Sequence, residues 1–167
     1  MIPEIKILLI AMSPFVELRG AIPVAIGYYH FSAFSAFWIS VIGNILPVFF
    51  ILGLLEAVYR FLTQHFYFFN RFFAWLFEKT RRNHQAKFAR WKELALIILV
   101  AIPLPLSGAW TGSLCAFVFG IPWKKSLPLI FLGVLIAGMI VTLATLGILE
   151  LKTAISKTPG LVSGLVQ

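Results

Sequence analysis

Glu17 and Arg19 stand two residues apart in the stretch SPFVELRGAIP (13–23), inside one of the most apolar parts of the chain. An ionised carboxylate in hydrocarbon costs about 3 kcal/mol even on the gentlest scales, so an acid at that depth faces protein or a water path and marks an ion or proton route. Glu17 is therefore the candidate proton-coupling acid. Arg19 is the candidate partner, binding an anionic group or serving as counter-ion to Glu17. Positions two apart do not share a face of a helix, whereas in extended chain they do, so the two can meet one partner where the segment is not regular helix. The competing reading is that both charges only satisfy loose backbone ends.

Other chemistries find less support. Intramembrane hydrolysis needs a nucleophile with a base, or a metal held by histidines and carboxylates. The chain has no aspartate, its His30, His65 and His84 fall at a turn or in a polar connector, and neither HExxH nor GxSxG spacing occurs. Ser107 and Ser113 have no activating base in view, so no catalytic residue, metal site or cofactor is expected. The single Cys115 lies in an apolar segment and excludes a disulfide framework.

The elements that must carry Glu17 and Arg19 follow from hydropathy. Sixty percent of the residues are hydrophobic and 12% charged, with a mean hydropathy of +0.96; soluble domains are roughly half apolar and a quarter charged. This is the composition of an all-α integral membrane protein, and 167 residues make a single membrane domain (1–167). Four apolar blocks, Ile5 to Tyr29, Phe31 to Tyr59, Leu94 to Ile121 and Ser126 to Leu151, each have about the 20 residues that a crossing helix needs. A cleavable signal at the start is disfavoured because Glu17 and Arg19 interrupt the first block.

Blocks two and four read as plain spanning helices, with Glu56 and Glu150 near their ends. Asn44, beside Gly43 in block two, suits an interhelical hydrogen bond. Blocks one and three are broken in the middle: Pro14, Gly20 and Pro23 in the first, and Pro103, Pro105, Gly108 and Gly112 in PLPLSGAWTGS of the third. Proline removes a donor and turns the preceding residue from helical angles, and broken backbone at membrane depth must be buried in protein or line a cavity. Each break therefore predicts a re-entrant hairpin or a discontinuous helix. Trp110 and Thr111 sit beside the second break as cavity-shaping residues, or as close packing of small residues around one aromatic.

At an offset of 88, ELRGAIP faces PLSGAWT, and Leu18, Gly20 and Ala21 meet Leu106, Gly108 and Ala109. The order of elements also recurs, predicting repeat one (1–59) and repeat two (94–152), an inverted repeat of the kind that builds transporter sites at its interface, followed by a short tail (153–167). Between them the connector, 60–93, carries eight basic residues from Arg60 to Lys92, with Glu78 the only acid in that span. It reads as a cytoplasmic, amphipathic element among anionic lipid headgroups. That retention accounts for the basic excess, and no nucleic acid is expected. Charge counting does not choose between four crossings and two re-entrant hairpins, which differ in whether Lys124 and Lys125 share the connector's side.

FVELRGAIPVAIG, the Gly43-Asn44 pair and PLPLSGAWTGS resemble the small family of bacterial and archaeal small multidrug export proteins, over almost the whole chain. More distantly the layout is similar to the DedA superfamily. That second resemblance implies two facing re-entrant loops and proton-dependent transport or lipid translocation by charged loop residues, although the second loop here has no arginine. The expectation is a proton-coupled, multi-pass inner-membrane transporter or lipid translocase, with Glu17 in a buried re-entrant loop as its coupling acid and an unknown small-molecule or lipid substrate. The alternative is a non-transporting scaffold whose polar breaks serve packing. A homo-oligomer would suit so thin a bundle, though no motif specifies one.

Overall fold

Pro14 decides where the first block breaks. It turns Ser13 to extended angles (φ −65°, ψ 135°), and in the computed structural model helix α1 (Pro3–Met12) ends there while α2 (Glu17–Gly27) begins after a tight turn. The structure describes residues 2–65, 71, 86–103 and 108–157. The other helices are α3 (Ala33–His65), α4 (Ala86–Ala101), α5 (Ala109–Val118) and α6 (Trp123–Lys157). No strand occurs among the described residues. The break is shorter than the sequence suggests: Gly20 and Pro23 lie inside α2.

The Lys6 ammonium, at the start of α1, lies 5.9 Å from the centre of the Tyr29 ring, just past the end of α2. The two short helices therefore fold back on each other as a hairpin. Block three does the same. Lys125, at the start of α6, reaches Glu93 of α4 at 3.5 Å, whereas a continuous helix would hold them roughly 48 Å apart at 1.5 Å per residue. α3 and α6 are the long apolar helices, and the stretches Ala33–Val58 and Trp123–Lys157 are long enough to cross a bilayer. They run antiparallel, since Phe49 meets Trp123 with ring centres 6.3 Å apart while Phe37 and Val41 lie against Gly138.

α3 and α4 take in both ends of the 60–93 segment. Most of the centre of the connector, expected to be amphipathic, lies outside the described residues, as do Pro105 and the tail beyond 157. Large apolar side chains such as Phe34, Phe50, Leu54, Met139 and Leu143 stay exposed; a surface this apolar belongs in lipid rather than water.

The second half repeats the packing of the first at a register near 90. Ala36, Ser40, Gly43, Asn44, Pro47 and Val48 are buried on α3, and Ser126, Ile130, Gly133, Val134, Ala137 and Gly138 are buried on α6. His30 (φ 56°) and Gly120 (φ 66°) make the same left-handed turn before each long helix. Gly43 admits the backbone of α1 at Leu8, and Gly133 that of α4 at Ile97. The offset of 88 read from ELRGAIP and PLSGAWT is thus not the packing register. Two of its three identities, Gly20 with Gly108 and Ala21 with Ala109, are small residues of the kind wanted for close approach, which can recur in either register, whereas buried faces cannot slip.

A Cβ at Gly43 would stand 2.8 Å from the Leu8 carbonyl oxygen, and one at Gly133 would stand 2.7 Å from the Val100 Cβ. Gly43→Ala and Gly133→Ala should each cost about 1–3 kcal/mol, read as a lower denaturation midpoint in detergent. Gly147, also on α6, has open space beside it; Gly147→Ala should be neutral or stabilise by up to about 1 kcal/mol.

Candidate functional site

Glu17 opens α2 with φ 51°, a left-handed conformation that costs a side-chain-bearing residue about 1–3 kcal/mol and persists only where its surroundings impose it. Two consequences follow. The irregular first residue lets Glu17 and Arg19 meet despite their spacing, with Arg19 Nη2 3.5 Å from Glu17 Oε2. It also turns the carboxylate toward α5, where the backbone N–H groups of Ala109 and Trp110 donate to it.

Those amides are the first two of α5, whose N-cap, Gly108, has no side chain to receive them. The first four N–H groups of a helix have no partner within it, and the helix end carries a partial positive charge. Glu17 therefore caps a helix belonging to the other half, and its charge is met by two donors, a helix terminus and a guanidinium. Its side chain is 8% exposed and that of Arg19 21%.

Gly108 is required here for space. A Cβ at that position would fall onto the Glu17 carboxylate. In the packing register Gly108 is also the counterpart of Glu17: Glu17, Leu18, Ala21, Ile22 and Ala25 are buried on the first hairpin, and Gly108, Ala109, Gly112, Ser113 and Ala116 on the second. Two equivalent positions meet, and only one can carry a side chain.

The structure brings Glu17, Arg19, Gly108 and the amide of Trp110 together. Gly20 packs against Val16, and Gly112 lets α5 close on Val100 of α4, near Leu96. Thr111 is half-buried in the first turn of α5, Pro14 is exposed in the hairpin turn, and Pro103 follows α4. Ser113 donates to the Ala109 carbonyl at 2.7 Å.

Asn44 is fully buried on α3, which packs against both α2 and α5. The interhelical partner expected for it is not found: among the described residues both of its amide atoms lack a hydrogen bond, as do the hydroxyl of buried Ser40 and the indole N–H of Trp110. Ser40 was missed by the sequence reading; its signal is the spacing of four from Asn44, which places both on one helix face. Among the described residues no three His, Cys, Asp or Glu side chains converge as metal ligands.

Replacing Gly108 by alanine must push the Glu17 carboxylate off the α5 amides. Gly108→Ala should lower stability, and most of that loss should vanish in a Glu17→Ala background, giving a coupling of about 1–3 kcal/mol in a double-mutant cycle. Additive effects would mean that the two positions do not touch.

No curated protein and no solved structure matches the chain. A family model does match, over residues 17–140, 124 of the 167 positions, taking in Glu17, Arg19, Gly108 and the whole of α2, α3 and α5. On that match the chain belongs to the family described as "Putative small multi-drug export protein".

Proposed function

We propose that the chain is a small multi-pass transporter of the cell inner membrane, with Glu17 as its proton-coupling acid and Arg19 as the counter-ion. The observation that carries this reading is the Glu17 carboxylate held across the two halves, on the amides of Ala109 and Trp110 and beside Arg19. Protonation would cancel the charge that these groups hold and would loosen the joint between α2 and α5. Such a joint has the two arrangements that alternating access requires, with a discontinuous helix end at the site.

The same reading makes the halves an inverted repeat with re-entrant hairpins, the arrangement implied by the resemblance to the DedA superfamily. The antiparallel course of α3 and α6 and the Glu93–Lys125 contact support it. That contact brings Lys125 to Glu93 at the end of the connector, and this reading takes that basic end as the cytoplasmic side. The polar atoms of Ser40, Asn44 and Trp110, which have no hydrogen-bond partner among the described residues, suit a path that passes polar cargo or water, and a drug-like molecule and a lipid headgroup are both candidate cargoes. Anionic headgroups are the proposed partners of the connector.

In proteoliposomes carrying a proton gradient and ethidium as cargo, Glu17→Gln should reduce gradient-driven flux at least tenfold and Arg19→Lys should reduce it severalfold. Flux unchanged in both variants would remove the role given to the pair, and no flux from the wild type would favour a scaffold. Topology can be checked in a Cys115→Ala background. Pro3→Cys and Leu165→Cys should react with an impermeant maleimide from the side opposite Asn83→Cys; labelling of all three from one side rules out the double hairpin.

A further inference from the structure

Away from Glu17, where the second half of α3 meets the start of α6, Phe49, Gly53, Glu56, Ala57 and Trp123 line an open cavity of about 340 Å³. That volume falls within the range of small-molecule pockets, roughly 300–1,000 Å³. Its chemistry is specific. The Phe49 and Trp123 rings stand edge to face, 6.3 Å between centres, and Glu56 is the one charged residue among the described residues of the lining.

Aromatic faces attract cations within about 6 Å, alkylammonium groups above all, and the attraction grows as water is excluded. A carboxylate beside them adds the opposite charge, and the mostly apolar lining favours a cation that carries alkyl groups over a hydrated inorganic ion. We propose that this pocket binds an alkylammonium group. Lys124 and Lys125 follow Trp123 on the exposed start of α6, and Lys125 is drawn toward Glu93. The nearby positive charge therefore favours a ligand with an anionic group beyond its ammonium, or one whose alkyl contacts outweigh the repulsion. The ammonium can come from a zwitterionic lipid headgroup or from a free organic cation.

The pocket is independent of the role given to Glu17, and its test reads binding rather than transport, so the two can fail separately. The full chain in phosphatidylglycerol nanodiscs is titrated with tetraethylammonium by calorimetry. Glu56→Gln and Trp123→Leu should each weaken binding about tenfold or more. Gly53→Leu offers a variant that need not disturb folding, since no atom of the described residues lies within 4 Å of a Cβ built there; its side chain would fill the cavity and abolish binding with the denaturation midpoint kept. Weaker tetraethylammonium binding in phosphatidylcholine nanodiscs assigns the site to the lipid headgroup, and equal affinity in both lipids assigns it to the free cation. No measurable binding by the wild type, or wild-type affinity in Glu56→Gln and Gly53→Leu, overturns the proposal.

Discussion

A buried carboxylate has to be met by donors, and in this protein the donors come from the opposite half of the chain. Glu17 takes the amides of Ala109 and Trp110, so the start of α2 and the start of α5 are bound to face each other. Much of the surrounding geometry serves that contact. Pro14 ends α1 and sets up the turn, the left-handed backbone at Glu17 aims the side chain, and Gly108 leaves the room that the carboxylate occupies.

The contact also explains an asymmetry between otherwise similar halves. Buried faces, left-handed turns and glycine-mediated helix contacts recur at a register near 90, yet charge occurs at the tip of the first hairpin alone. Where equivalent positions meet, two side chains would collide and two carboxylates would also repel, with little water to screen them. One acid facing one glycine resolves both problems, and it gives the acid a helix end as counter-charge.

Among the described residues, some buried polar groups have no hydrogen-bond partner. A buried amide or hydroxyl left unpaired costs about 1–3 kcal/mol, and among the described residues Ser40 and Asn44 are such groups on one face of α3, the helix that packs against both α2 and α5. The long helices supply an apolar exterior and a stable antiparallel frame. The hairpins add the buried Glu17 and the Trp110 indole.

Composition and hydropathy alone determined a membrane protein of four apolar blocks, two plain and two broken, because the cost of exposing backbone and charge to hydrocarbon acts on local sequence. Prolines marked the breaks, and isolation in apolar surroundings marked Glu17 and Arg19. Only the tertiary structure decided what the breaks become, which amides Glu17 meets, and that the register is near 90 rather than 88. Those outcomes depend on which buried faces interlock across more than 80 residues, and small residues such as Gly20, Gly43 and Gly108 look alike in sequence whether they turn the chain, admit a neighbouring helix or make room for a carboxylate.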